Sequence, residues 1–144
     1  MLIRRCGSHL AAERHIAEVE QFKKDRKPAR ANGRVAAAPI NVHFHVIYAN
    51  ETASGGYISD DQIQSQVDAL NKAYDQTPLT FKLANITRTQ NEDWFNNVGP
   101  EEQQQTDMKA QLRVGDAKDL NVYTAGFTEG SGEGLLGTLS VFKV

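Results

Sequence analysis

The chain has 144 residues, with 16 Lys and Arg against 18 Asp and Glu for a formal charge of −2, 40% hydrophobic residues and one cysteine. That is the composition of one soluble globular domain: no disulfide can close within the chain, and no apolar run approaches the roughly 18 residues of a membrane span. Charge is uneven, since residues 1–34 hold nine Lys/Arg against four Asp/Glu and residues 35–144 hold seven against fourteen.

The opening MLIRRCGS has Arg4 and Arg5 but no following apolar stretch of about 7–15 residues, so no secretory signal is expected there. Leu10, Ala11, Ile16, Val19 and Phe22 recur at helical offsets behind Ser8, which predicts an amphipathic helix over about residues 9–26. From Pro28 to Pro39 the sequence PARANGRVAAAP has Val35 as its single large apolar residue and reads as a linker. Residues 1–39 are therefore expected to stand apart from a body of residues 40–144.

The body opens with INVHFHVIY, whose alternation puts Ile40, Val42, Phe44, Val46 and Tyr48 on one face of a strand and Asn41, His43, His45 and Ile47 on the other. After a turn at Ser54, Gly55 and Gly56, Ser59 and Gln62 have capping-box spacing, Ile58 can staple onto Ile63, and Ile63, Val67, Leu70 and Tyr74 form one helical stripe. Thr77-Pro78 ends that helix. Leu79, Phe81 and Leu83, with Ile86 opposite, predict a second strand through Thr87; Arg88 to Gly99 reads as a loop anchored by Trp94 and Phe95. Pro100 opens a helix carrying Met108 and Leu112 that stops at Gly115, and Leu120 to Thr124 forms a third strand before a tail with glycines at 126, 130, 132, 134 and 137. Strand, helix, strand, helix, strand is an α+β pattern.

The residues offer little catalytic chemistry. His43 and His45 project to the same face of a strand as paired metal imidazoles would, yet two ligands are not a site; the plainer reading is a partly buried histidine with a hydrogen-bonded ring and an exposed neighbour. Cys6 sits beside arginines that lower a thiol pKa but has no positioned base, and Gly130, Gly132 and Gly134 precede a strand-like run rather than a phosphate-binding helix. The basic N-terminal segment faces an acidic body, so nucleic-acid binding is not expected. Asn50-Glu51-Thr52 and Asn85-Ile86-Thr87 are N-glycosylation sequons that matter only in an exported chain.

Taken together, RRCGS at Arg4 to Ser8, INVHFHVIY, the Gly55 to Asp75 helix block, FKLANITRTQNEDWF at Phe81 to Phe95, MKAQLRVGDAKDLNVYT at Met108 to Thr124 and GLLGT at Gly134 to Thr138 resemble the pappalysin family of secreted fungal and bacterial metalloproteases, within the metzincin clan. The resemblance implies an extracellular zinc endopeptidase acting on peptide or protein substrates. Its fold here would be part of a twisted mixed sheet with a backing helix, preceded by a propeptide-like helix and linker. It implies that Cys6 matches the cysteine-switch residue of the latent enzymes, and that Gly134, Leu135, Leu136 and Gly137 match the edge strand against which extended substrate aligns.

The family's zinc helix, with its His-Glu-x-x-His-x-x-Gly-x-x-His pattern, has no counterpart, because no His-Glu pair occurs and the last histidine is His45. The expectation is an incomplete half of a catalytic domain that binds no zinc and is inactive alone. A non-catalytic module pairing peptides on its sheet edge, or docking through the N-terminal helix, is the alternative. Without the zinc helix, the sheet face of Val42 and Phe44 should be uncovered, giving self-association and a broad thermal melt.

Overall fold

The computed structural model describes residues 5–6, 20, 21, 24, 38–128, 133 and 135–137. Glu20, Gln21 and Lys24 are helical and exposed, inside the helix expected over 9–26; the rest of that helix, and the linker before Ala38, lie outside the described residues.

Besides those three residues, the elements with described bounds are β1 (Arg5–Cys6), β2 (Ile40–Tyr48), α1 (Asp60–Ala73), β3 (Phe81–Gln90), α2 (Glu92–Asn97), α3 (Gln103–Leu112), β4 (Leu120–Thr124) and β5 (Leu135–Gly137). Strands β3, β2 and β4 form one parallel sheet in that order, and β1 pairs in parallel with β5. This is an α+β architecture with a small open sheet. The described pairings are all parallel, so an antiparallel member of a mixed sheet is not among them. No helix among the described residues is long and apolar enough to cross a membrane.

As the middle strand, β2 is buried on both faces, and its alternation separates two cores. Val42, Phe44 and Val46 pack on Ile63 and Val67 of α1, joined by Phe81, Leu83, Leu120 and Val122. The face expected to be uncovered is therefore covered: Val42 is 1% and Phe44 6% exposed, because α1 lays its apolar stripe on them. On the other face, Ile47 packs with Trp94, Phe95, Val98 and Met108.

Helix α1 starts as its sequence dictates. Ser59 Oγ accepts from the Gln62 N–H, and Gln62 Oε1 accepts from the Ser59 N–H, completing the box, while Ile58 packs onto the core that contains Ile63. Asp60 and Asp61 in the first turn complement the positive end of the helix dipole. Ser59→Ala is expected to cost about 1 kcal/mol, the usual loss of an N-cap, read as a lower urea midpoint at unchanged slope.

Four sequence expectations change. Strand β3 begins at Phe81 rather than Leu79, where both backbone groups of Phe81 are bound by the Asn71 amide of α1 at 2.8 and 2.9 Å. A register shift follows: Val42 faces Leu83 but His43 faces Asn85, which leaves Ala84 unmatched. This bulge reverses the alternation, so Ile86 joins Phe81 and Leu83 in the α1 core instead of lying opposite them. The predicted loop at Arg88 to Gly99 instead holds the end of β3 and the short helix α2, capped by Asn91, whose side chain accepts from the Trp94 N–H at 2.9 Å. Finally, α3 begins at Gln103, since Pro100 and Glu101 form a turn with Glu101 at φ 69°.

Gly56 requires glycine on two counts: its φ is +89°, and a Cβ there would lie 2.3 Å from the Phe95 ring.

Candidate functional site

Two places collect the residues singled out from the sequence. The first is the short parallel pair of β1 and β5, in which Arg5 lies opposite Leu135 and Cys6 opposite Gly137. A strand of Arg-Cys thus occupies one side of the Leu-Leu-Gly edge, main chain to main chain, across most of the length of the chain. Gly134 lies outside the described residues, and Leu135, Leu136 and Gly137 are described as strand.

The second is the polar half of the sheet face that carries Ile47. His45 is 1% exposed and stands among the apolar core. Its Nδ1 is 2.7 Å from the Thr87 hydroxyl of β3 and its Nε2 is 2.9 Å from Asn121 Oδ1 of β4. The Asn121 amide is oriented by two main-chain bonds, accepting from the Val114 N–H at 3.0 Å and donating to the Val114 carbonyl at 2.9 Å. Oδ1 can only accept, so Nε2 carries the hydrogen and Nδ1 receives the Thr87 O–H. The ring also stacks on Tyr123, with centroids 4.8 Å apart and planes 20° from parallel. Burial, opposed by the Asn121 bond and aided by the nearby His43, holds the His45 pKa below its ordinary value, which keeps the imidazole neutral. Burial raises the Tyr123 phenol likewise.

At the lower end of the same face, Asn41 donates to Asp119 Oδ1 at 3.0 Å, and Asp119 Oδ2 accepts from the Asp116 N–H at 2.9 Å. Backbone hydrogen bonds hold both carboxyls below their usual range, from Lys118 N–H at Asp116 and from Asp116 N–H at Asp119. His43 is half-buried rather than exposed, with a buried Nδ1 that has no partner among the described residues.

This arrangement does not fit a zinc ion. Both ring nitrogens of His45 are already engaged, which leaves His43 as the only imidazole of the pair with a nitrogen to offer, and no group of three or more His, Cys, Asp or Glu among the described residues is placed to hold a metal. The His45 bonds tie the three strands together, and their partners, 42 and 76 residues away, could not be read from local spacing. The available signal was Asn121, a lone amide inside the Leu120–Thr124 strand, whereas Thr87 lies among the polar residues of β3 and carried no signal of its own. A surface depression lined by Ile58, Asp61, Gln62, Ser65 and Gln66 includes no residue singled out for chemistry.

No protein-family model matches the chain, and no solved structure matches it. Curated relatives do. Over 122 residues it is 30% identical to an extracellular metalloprotease of Verticillium alfalfae, covering 83% of this chain and 41% of the relative. It is 35% identical over 123 residues to an extracellular metalloprotease of Pyricularia oryzae, covering 83% of this chain and 42% of that protein. A protein of the same name from Sordaria macrospora is 33% identical over 121 residues, with 82% and 41% covered. The chain spans about two fifths of the length of these relatives. An α+β sheet domain of this order, with an Arg-Cys strand on a Leu-Leu-Gly edge, is thus similar over four fifths of its sequence to proteins named extracellular metalloproteases.

Proposed function

We propose that this chain is the sheet-bearing part of an extracellular zinc metalloendopeptidase of the pappalysin type, in the metzincin clan, and that alone it hydrolyses no peptide bond. The observation that carries the reading is the 30–35% identity over some four fifths of the chain to proteins named extracellular metalloproteases. The α+β sheet with α1 packed on it supports the same reading. In it, Gly134, Leu135, Leu136 and Gly137 align an extended peptide substrate by main-chain pairing, and Cys6 belongs to a latency segment that occupies that edge beforehand. Among the described residues no zinc site is offered, since His45 has both ring nitrogens engaged and His43 is the one other described imidazole.

A second reading has one observation in its favour. The parallel pairing of β1 with β5 supports a reading in which the Leu135–Gly137 edge takes an extended segment, as a non-catalytic peptide-binding module would.

The test is casein digestion by the purified 144-residue chain with and without chelator, beside zinc analysis. No turnover and no stoichiometric zinc are expected; chelator-sensitive cleavage would overturn the assignment of inactivity. Saturable binding of extended peptides without cleavage would select the module.

A further inference from the structure

The two Asn-x-Thr sequons are used by nothing above, and the fold treats them differently. Strand β3 is an edge of its sheet: it pairs with β2 on one side, and among the described residues no strand pairs with the other. The bulge after Leu83 leaves Ala84 unmatched and turns Asn85 onto the face of His43, and both Ala84 and Asn85 are exposed. Asparagine is disfavoured inside strands, and that cost is usually offset by a side-chain hydrogen bond. Among the described residues the Asn85 amide shows none. Thr87, by contrast, is held by the fold through His45.

Asn50 is accounted for locally. Its Oδ1 accepts from the Thr52 N–H at 3.2 Å and from the Thr52 hydroxyl, and it lies so near Gly55 that a Cβ there would be 2.2 Å away. That asparagine shapes a turn. The one at 85 shapes nothing in its own strand.

We propose that Asn85 is an N-glycan attachment site and that its glycan shields the open edge of β3. The inference rests on the extracellular reading, because the acceptor sequence meets its transferase only in a secretory compartment. The donor is a lipid-pyrophosphate-linked oligosaccharide: the bond from its anomeric carbon to the pyrophosphate oxygen breaks, a bond from that carbon to Asn85 Nδ2 forms, and one amide proton and the lipid pyrophosphate leave. The product places a bulky hydrated group beside backbone N–H and C=O groups that pair with no described strand, which are otherwise a template for a second chain. It complements the bulge and Lys82, the other devices of this edge.

The whole chain, behind a cleavable signal peptide, is expressed in a yeast secretory host as wild type, Asn85→Gln and Asn50→Gln. Both cells and medium are analysed by gel mobility with and without an endoglycosidase that leaves one sugar on the asparagine. Transfer precedes folding and release, so a variant retained in cells still reports its glycans. Asn85→Gln is expected to show one fewer glycan than wild type; an equal number overturns the site. Folded wild-type protein is then trimmed by the same enzyme and measured by light scattering. A shift from monomer toward dimer or larger species is expected, and an unchanged monomer overturns the shielding. Because the signal peptide is supplied, a missing glycan counts against Asn85 alone, whereas native protein found only in the cytosol counts against the extracellular reading.

Discussion

A Trp94→Ala variant is expected to lose about 3–5 kcal/mol of stability, the range for removing a large aromatic side chain from a core. Trp94 is 7% exposed and packs with Ile47, Phe95, Val98 and Met108, so α2, α3 and the second face of β2 all rest on it. No neighbour replaces that volume. Against a typical net stability of about 5–15 kcal/mol, the variant should sit close to unfolding at 37 °C. Leu79→Ala supplies the contrast. Leu79 is 37% exposed and lies before β3, so a change within about 0.5 kcal/mol is expected. Urea unfolding followed by tryptophan-independent circular dichroism measures both; a loss below 1 kcal/mol at Trp94 would mean that the second core does not hold the sheet.

The second large effect belongs to His45. Removing the ring in His45→Ala leaves the half-buried Thr87 hydroxyl without its partner, at about 1–3 kcal/mol, takes one of two bonds from Asn121 Oδ1, which keeps the Val114 N–H, and opens a cavity beside Tyr123. The wild type should also lose stability on mild acidification. In the unfolded chain His45 titrates at its ordinary value of 6.5, whereas burial depresses the folded value, so between the two the unfolded state binds the extra proton. The contribution is complete above pH 6.5 and declines as pH falls through the depressed folded value. Protonation would put a second donor on the ring, at Nδ1, where the Thr87 hydroxyl now donates. Asp116 and Asp119, whose folded values lie below 3.8, act only in stronger acid, so the two ranges separate. Unfolding free energies measured from pH 7.5 down to pH 4.5 should slope downward in wild type and less so in His45→Gln; equal slopes would show that this imidazole is not the group responsible.

Much of the fold was open to reading from the chain alone, and the particular elements show why. The residues from Ile40 to Val46 alternate apolar with polar, and the Ser59–Gln62 box marks a helix start within four residues. Leu120 to Thr124 was equally plain. The short helix at Glu92–Asn97 was missed because six residues carry too little periodicity to register, although the Asn91 cap and the acidic pair behind it were present as signals. The candidate edge at Gly134 to Gly137 and Cys6 came from likeness to a family; nothing in the composition or spacing of those residues would have paired Cys6 with Gly137.

What the sequence by itself determined is therefore local: which segments are strands and helices, where α1 begins, and which proteins the chain is like. Alternation and capping depend on residues within one or two turns of one another, so they survive in a linear reading. Only the tertiary structure decided that a bulge beside Val42 sends Ile86 into the core and Asn85 to the surface, that α1 covers Val42 and Phe44, and that His45 is a neutral tie between β3 and β4. Those outcomes depend on strand register between segments some 40 to 80 residues apart in sequence, where a slip of one position exchanges the two faces of a strand.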